Sequence, residues 1–234
     1  DADIAGLGAR LAEGNPAPEL TAAEAERLLQ PSEKLTADAR LYLAHAVEAV
    51  RAGVPRAHVI NRNTDGALLI ELFTHEGSGC MITADKLERI RPATIEDVGG
   101  VLQLIEPMEA EGILVRRSRE LLEQEIGRFT VLEHDKRIVG CAALYPFPKE
   151  RAGELACLAI RPEYQRLGHG EKLMQTIERQ AREQGLEKLF LLTTRASHWF
   201  IERGYKEGSV DILPEEKRAL YNWQRRSKVL VKSL

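Results

Sequence analysis

The sequence predicts an α/β fold with a mixed sheet, and three observations lead to that prediction. Helical and extended patterns alternate along residues 1–87. Two extended segments within residues 129–145 are joined by a short polar turn, which is typical of an antiparallel hairpin. A strand over residues 154–160 is followed by a helix and a second apolar strand, which is typical of a parallel crossover. A hairpin followed by a crossover gives a mixed sheet with flanking helices.

The composition is that of an ordinary globular protein. The 234 residues are 44% hydrophobic and 29% charged, with 33 basic against 36 acidic residues. Without a basic excess, nothing in the sequence indicates nucleic-acid binding. Cys80, Cys141 and Cys157 have neither the spacing of a zinc site nor that of a disulfide scaffold. The sequence has no leader pattern and no long apolar run, so we expect a cytoplasmic protein without a metal or a membrane segment.

Residues 1–87 alternate between helices and strands, although residues 1–20 match no periodic pattern. Thr21 and Glu24 have the spacing of a capping box, which predicts the start of a helix. Two predicted strands are too few for an independent sheet, so we expect this block to be part of a larger layer. The later elements expected are a helix over 36–51, a strand over 57–60, a helix over 64–73 and a glycine-rich turn over 77–82 that enters a strand.

A polar stretch over residues 85–88 separates this block from a second set of elements. We therefore place one domain over residues 1–87 and a second over residues 88–234. The elements expected in the second domain are a strand at 89–92, helices at 95–105 and 119–126, strands at 129–133, 138–145 and 154–160, a helix at 170–184 and a strand at 189–193.

The segment most informative about function is the turn Gln165-Arg-Leu-Gly-His-Gly170, between a strand and a helix. Backbone amides at a helix N-terminus, together with the positive end of the helix dipole, bind anions. Glycines at 168 and 170 allow a pyrophosphate to approach the backbone, and Arg166 adds positive charge. An isolated Gly-x-Gly turn more often serves only the geometry of the chain, so its surroundings decide the interpretation.

This turn, behind a strand that ends Ala159-Ile-Arg-Pro, resembles the acetyl-CoA signature of the Gcn5-related N-acetyltransferase (GNAT) superfamily. The resemblance implies a mixed sheet with flanking helices and acetyl-CoA as co-substrate. It also implies that the strand before the signature has a bulge and diverges from the next strand, with pantetheine lying in the gap. The cofactor-binding positions that it implies are Leu158, Ile160, Gln165, Arg166, Leu167, Gly168, His169, Gly170 and Glu171.

A second resemblance covers most of the chain. The segments Arg56-Ala-His-Val-Ile, Asp65-Gly-Ala-Leu-Leu-Ile and Gly77-Ser-Gly-Cys-Met-Ile are similar to the end of the amino-acid kinase α/β/α fold in acetylglutamate kinases and bacterial N-acetylglutamate synthases, and the fusion to an acetyltransferase favours the synthases. Further similarities are Glu154-Leu-Ala-Cys157, Leu191-Leu-Thr-Thr-Arg195 and Tyr221-Asn-Trp-Gln-Arg-Arg-Ser-Lys228. This resemblance implies that residues 1–87 are the C-terminal part of a regulatory, non-catalytic kinase-like domain, and that residues 88–234 acetylate L-glutamate in arginine biosynthesis.

The kinase-like segment lacks the glycine-rich nucleotide-binding start of a phosphotransferase, so we expect no kinase activity. The resemblance implies further sequence upstream and association into homo-oligomers through the complete kinase-like domain. It also implies an L-arginine effector site at His58, Glu71 and Gly77, where a carboxylate pairs with guanidinium. His58 and Glu71 are equally well explained as an ordinary strand residue and a helix charge.

Acetyl transfer requires a base, because the acceptor amine must lose a proton before it attacks the thioester. The resemblance assigns that role to Glu154, which is otherwise a solvated carboxylate at a strand start. A free N–H at the bulge near Leu158 is expected to stabilise the oxyanion. Many members of the superfamily use a tyrosine as general acid where this chain has Phe200, and the resemblance to the synthases suggests Thr193 instead.

Glutamate presents two carboxylates, and arginine side chains bind carboxylates through paired donors. The resemblance assigns Arg117 and Arg225 to the substrate, together with Ser227 and the region of Cys157. Arg226 is an alternative to Arg225, and each arginine alone is more often a surface residue. These positions meet only if the last strands fold back over the cofactor cleft.

Three hypotheses stay open from the sequence. The chain acetylates glutamate, acetylates another amine with the same fold, or is a non-catalytic arginine-sensing module with vestigial acetyl-CoA binding. The pair of arginines favours the first hypothesis over the second.

Overall fold

The computed structural model describes residues 19–30, 35, 37–60, 65–74, 78–219, 221 and 227–234. The chain divides into two compact units, Asp1–Leu87 and Glu88–Leu234. Each unit has its own sheet and its own hydrophobic core. Across the described residues, no helix is both long enough and apolar enough to cross a bilayer.

The N-terminal unit is a small sheet with helices packed against it. Its elements are β1 (Leu20–Thr21), α1 (Ala22–Leu29), α2 (Ala37–Arg51), β2 (Arg56–Val59), α3 (Ala67–Phe73) and β3 (Cys80–Thr83). The sheet has the order β1-β3-β2, with β1 parallel and β2 antiparallel to β3. Leu43, Val47 and Val50, on one face of α2, pack with Ile82 of β3. The spacing of these apolar residues is the reason that α2 is predictable.

Most predicted elements of this unit are present, with shifted ends. Thr21 and Glu24 form the predicted capping box. Strand β1 was not predicted, because two residues are too few to give a periodic pattern. Helix α3 begins at Ala67 rather than at residue 64, since Gly66 has a left-handed φ of 69° and acts as the N-cap. Positions 36 and 64, the predicted helix starts, lie outside the described residues.

In the C-terminal unit, the described residues form a seven-stranded sheet in the order β4-β5-β6-β7-β8-β10-β9. Its strands are β4 (Glu88–Pro92), β5 (Phe129–His134), β6 (Arg137–Phe147), β7 (Ala152–Ile160), β8 (Lys188–Thr193), β9 (Lys206–Gly208) and β10 (Lys228–Ser233). Its α-helices are α4 (Val98–Ala110), α5 (Arg119–Glu125), α6 (His169–Glu183), α7 (Ser197–Ile201) and α8 (Glu215–Ala219). The 3-10 turn Ile95–Asp97 precedes α4, where the sequence predicted one continuous helix.

The sheet is mixed, as the sequence predicts. Strands β4 to β7 form an antiparallel meander, and β8 joins β7 in parallel through the crossover helix α6. Strand β10 returns antiparallel to β8 and separates it from β9. This return places the end of the chain beside β8, so residues near 227 lie close to the carboxyl end of that strand.

Helices cover both faces of this sheet. On one face, Leu173, Met174 and Ile177 of α6 pack with residues of β8 and β10. Their spacing of three and four residues gives α6 one apolar side, and Gly185 ends the helix with a left-handed φ of 74°. On the other face, α4 and α5 pack on β5 and β6. This second face carries the candidate site.

A buried charge network joins β4 to the start of α4. The guanidinium of Arg91 donates two bonds to the Asp97 carboxylate, at 2.7 and 2.8 Å, and a third to Glu133 at 2.7 Å. The backbone N–H of Thr94 also donates to Asp97. Arg91 is the main reason that the pKa of Asp97 falls from 3.8 to about 2.

We expect Asp97→Asn to lower the free energy of unfolding at pH 7 by about 1–2 kcal/mol. A depressed carboxyl pKa stabilises the fold above the unfolded-state pKa of about 3.9 and stops doing so as the pH falls towards 2. Urea denaturation of both proteins from pH 7 to pH 3 should therefore show the difference shrinking below about pH 4. The exposed carboxylate Asp211 provides the control, since Asp211→Asn should show no such loss. A difference that is constant with pH would contradict the role of the ion pair.

Candidate active site

Strand β7 separates from β8 after Glu154 and has a bulge a few residues further along. Ala156 of β7 pairs with Ala143 of β6, and the next pair is Ala159 with Cys141. Three steps along β7 thus match two steps along β6, so β7 holds one extra residue. Cys157 at this bulge has a φ of 52°, in the left-handed region. Parallel pairing with β8 covers only Ala152–Glu154. The backbone of β7 beyond Glu154 therefore borders a gap in the sheet, as the resemblance to the superfamily predicts.

The loop at one end of this gap presents its backbone to solvent. Residues 165–168 are exposed. Arg166 and Gly168 have positive φ angles of 65° and 80°, and Gly168 is the N-cap of α6. The first amides of a helix have no acceptor within the helix, so those of α6 are available to an anion. The Gln165 side chain bonds back to the carbonyl of Ile160 at 3.1 Å and fixes the start of the loop.

The backbone N–H of His169 is suited to bind an anion at this loop, whereas its imidazole is not. The side chain is buried, and its Nδ1 lies 3.3 Å from an oxygen of Glu88 without a hydrogen bond. Burial lowers the pKa of His169 below 6.5. Of the two groups, the amide in the first turn of α6 is the one suited to an anion.

Glu154 is the last residue of β7 that pairs with β8, so it lies where the two strands part. It is buried, with 6% of its surface exposed. Its carboxylate oxygen is 2.8 Å from the Nζ of Lys217, on α8. Tyr145 of β6 is its direct cross-strand partner, so both side chains lie on the same face of the sheet.

Arg117 lies on that same side, beside the bulge. Its guanidinium interacts with the Cys157 thiol and the Tyr145 hydroxyl, and it donates a bond of 3.0 Å to the carbonyl of Val115. The backbone N–H of Arg117 donates to Glu109 at 3.0 Å, which anchors this segment to α4. Among the described residues, no carboxylate lies within ion-pair distance of this guanidinium. The structure thus places the half-buried guanidinium of Arg117 beside Cys157, and no carboxylate in the described part of the chain neutralises its charge.

The Cys157 thiol and the Tyr145 hydroxyl beside Arg117 both have shifted pKa values. The Cys141 side chain and then Arg117 lower the pKa of the Cys157 thiol, although burial opposes this. Burial and the bond of 2.6 Å from its hydroxyl to Glu125 raise the pKa of Tyr145, so this hydroxyl stays protonated. Tyr145 is therefore a fixed neutral hydrogen-bonding group next to Arg117.

Thr193 and Ser227 meet at the far side of the gap. Thr193 ends β8 and pairs with Lys228, the residue after Ser227. The Thr193 hydroxyl accepts a bond of 3.1 Å from the N–H of Ala196, which stabilises the turn before α7 and leaves its own proton available. The carbonyl of Ser227 accepts a bond of 2.6 Å from the hydroxyl of Tyr221. Arg225 and its alternative Arg226 lie outside the described residues.

Phe200 does not border this site. It is buried in the core on the α6 side and packs edge-on against Trp199 and Tyr205. An apolar ring explains this position as core packing.

The candidate effector residues belong to the N-terminal unit. The Nδ1 of His58 lies 2.5 Å from one oxygen of Glu71, and the N–H groups of Ser78 and Gly79 donate to the other oxygen at 2.6 and 2.9 Å. Glu71 thereby connects α3 to β2 and to the start of β3. Gly77, the third residue, lies outside the described residues.

Sequence reasoning missed Lys217, Tyr145 and Glu125. Their place in the site depends on partners that are distant in the sequence. Lys217 forms an ion pair with Glu154, while Tyr145 pairs across the strands with Glu154 and donates a hydrogen bond to Glu125. A lysine on a short charged helix and a tyrosine at a strand end give no local signal of a site.

Residues 100–205 match the acetyltransferase (GNAT) family. The C-terminal unit, with its diverging strands and its loop before α6, has the GNAT fold. The chain as a whole is homologous to bacterial amino-acid acetyltransferases. It is 55% identical to that of Ralstonia nicotianae over 86% of this chain and 45% of the relative. It is 53% identical to that of Escherichia coli K12 over 82% of this chain and 44% of the relative.

Two solved structures are similar to most of the chain. Both are N-acetylglutamate synthase of Neisseria gonorrhoeae, one complexed with coenzyme A and L-arginine and one with coenzyme A and N-acetyl-glutamate. The first has a TM-score of 0.80 at 40% identity, over 95% of this chain and 50% of that chain. The second has a TM-score of 0.62 at 41% identity, over 95% and 52%. These relatives confirm the resemblance to the synthases, and this chain spans about half their length.

Proposed function

We propose that the C-terminal unit transfers the acetyl group of acetyl-CoA to the α-amino group of L-glutamate, giving N-acetyl-L-glutamate and coenzyme A. The observation that carries the proposal is the gap between β7 and β8, with loop amides at one end and Glu154 at the other. The homology to amino-acid acetyltransferases and to synthases solved with coenzyme A supports it.

The gap accounts for cofactor binding along its length. The backbone groups of Leu158 and Ile160 on the open edge of β7 pair with pantetheine, as a strand would. The pyrophosphate then reaches the loop formed by residues 165–171, where the exposed amides and the positive end of α6 stabilise its charge. Leu158 and Ile160 precede that loop by a few residues, so one continuous segment is proposed to hold both the pantetheine and the pyrophosphate.

In the proposed mechanism, Glu154 removes a proton from the ammonium group of the acceptor. The neutral amine attacks the thioester carbon, and the N–H at the β7 bulge donates to the developing oxyanion. The C–S bond then breaks, and the second proton, which the attacking nitrogen loses as it becomes an amide, passes through the Thr193 hydroxyl to the departing thiolate. Glu154 is bonded to Lys217 before this, so the acceptor ammonium has to displace the lysine from the carboxylate.

Recognition of glutamate follows from Arg117. Its half-buried guanidinium has paired donors and no carboxylate partner among the described residues, so it suits one carboxylate of the substrate. Arg225 and Ser227 are proposed for the other carboxylate, with the Cys157 backbone completing the pocket. Ser227 precedes β10, whose return beside β8 brings this segment to Thr193.

A thiol-release assay with acetyl-CoA tests the proposal. We expect release that depends on L-glutamate, and much less with L-glutamine, which keeps the shape but lacks the second carboxylate. Release with a different amino acid would reassign the acceptor. No release with any amine would leave the C-terminal unit without the proposed activity.

We propose a regulatory role for the N-terminal unit, residues 1–87, as part of an amino-acid kinase-like domain that binds L-arginine. The synthase structure solved with L-arginine supports this. Glu71 is the acidic group suited to a guanidinium, with His58 beside it and Gly77 as the third position that the resemblance implies, and arginine has to compete with the three donors that Glu71 already has. A rise in the thermal unfolding temperature with L-arginine, lost in Glu71→Gln, is the expected result. No rise in the unsubstituted chain would remove this role.

A further inference from the structure

The side-chain amine of Lys217 lies beside Glu154, where the amine of the acceptor is proposed to react. Its Nζ is 2.8 Å from the carboxylate of Glu154, within the reach that a general base needs for the proton it removes. Glu154 is buried and the Lys217 side chain is 27% exposed, so the pair is largely shielded from water. Lys217 therefore imitates the ammonium group of an amino-acid substrate.

The position of Glu154 at the end of the β7–β8 pairing adds a second requirement for reaction. In the proposed function, the acetyl end of the carrier lies at the point where these strands part. An amine held at Glu154 lies at that same point. Lys217 thus has both the base and the access to the acyl group that acetyl transfer demands.

We propose that Lys217 is itself an acetyl acceptor, modified by acetyl-CoA when no amino acid occupies the site; this inference rests on the proposed function. Glu154 removes a proton from the Lys217 ammonium, and the neutral Nζ attacks the thioester carbon. The C–N bond forms and the C–S bond breaks. Nζ loses a second proton as it becomes an amide, and the departing coenzyme A thiolate takes this proton and leaves as the thiol, so each chain gains one acetyl group as a neutral amide.

The reaction is expected to be slow and to happen once per chain. The Lys217 ammonium must lose a proton to Glu154 before its nitrogen can attack the thioester, which slows the step. The position of the amine beside both Glu154 and the acetyl group offsets this slow step, because well-oriented groups reach effective molarities of about 10⁵ M or more. Acetylation removes the positive charge and ends the ion pair with Glu154. The amide then occupies the acceptor position, so L-glutamate and Lys217 exclude each other.

The chain contains a matched control for this chemistry. Lys232 of β10 also pairs with a buried glutamate, with 2.7 Å between its Nζ and Glu178. The side chains are similarly exposed, 22% and 6% against 27% and 8% for Lys217 and Glu154. However, Glu178 lies on α6, among the residues of the opposite face, and not at the gap. A lysine–glutamate pair alone is therefore not sufficient for acetylation.

The test incubates the full chain with acetyl-CoA, with and without L-glutamate, and quantifies acetyl-lysine by peptide mass spectrometry. We expect acetylation of Lys217 at least about ten-fold faster than of Lys232, because only Lys217 is held beside the acyl group. L-glutamate should protect Lys217, and Glu154→Gln should reduce its rate to that of Lys232. Equal rates at the two lysines in the unsubstituted chain would overturn the inference, as would an unchanged rate in a folded Glu154→Gln protein.

Thiol release measured in the same samples separates this inference from the proposed function. Release that depends on L-glutamate, with no acetyl on Lys217 in the samples that lack L-glutamate, overturns the inference alone. Acetyl on Lys217 without such release supports the inference and reassigns the acceptor of the enzyme. Neither acetyl on Lys217 nor release overturns both.

Discussion

We expect Glu154→Gln to lower kcat by about 10²-fold or more near neutral pH, which is the usual effect of removing a general base. Glutamine has nearly the same size as glutamate but does not accept the proton of the acceptor ammonium. The gap and the loop at residues 165–171 are unchanged by the substitution, so coenzyme A affinity should be retained. Steady-state kinetics with L-glutamate, together with calorimetric titration of coenzyme A, measure the two effects separately.

A loss of activity in this variant also has a structural explanation that must be separated from the chemical one. Removing one partner of a buried ion pair leaves the other charge uncompensated, and here Lys217 loses its carboxylate. Glu178→Gln is the matched control, because it breaks the similar pair with Lys232 on the opposite face. We expect both variants to lower the unfolding temperature and only Glu154→Gln to lower kcat. An unchanged kcat in a folded Glu154→Gln protein would remove Glu154 from the mechanism.

The parts of the fold that sequence predicted are those set by short-range patterns. Helix α6 follows from the spacing of Leu173, Met174 and Ile177, and the loop before it follows from Gly168 at a left-handed position. The bulge at Cys157 was predicted only through the resemblance to a family. Nothing in the residues of β7 alone indicates it, since a non-glycine residue with positive φ is held there by the surrounding sheet.

The parts that sequence missed depend on long-range register. Lys217 reaches Glu154 because α8 lies in the segment before β10, and β10 inserts between β8 and β9. Tyr145 is opposite Glu154 because of a pairing set along the whole of β6 and β7. A shift of one residue would turn either side chain to the other face of the sheet. Local composition carries no information of this kind.

We expect Arg117→Ala to lower kcat/KM for L-glutamate by about 10²-fold or more, since losing one partner of a shielded charge pair costs about 2–5 kcal/mol. The effect should fall mainly on KM, because the carboxylate is bound equally in the ground state and the transition state. The bond from the Arg117 backbone to Glu109 does not involve the side chain, so the segment should keep its position in the variant.

Arg117→Lys and Arg116→Ala make this prediction specific. Lysine keeps the charge but lacks the planar pair of donors, so its KM should lie between those of the unsubstituted chain and Arg117→Ala. Arg116 is the exposed neighbour of Arg117, and its removal should leave KM unchanged. Equal effects at both positions would indicate only a general attraction of acidic substrates to positive charge. A large effect at Arg117 alone, with coenzyme A affinity retained, is what a carboxylate-binding residue beside the Cys157 bulge requires.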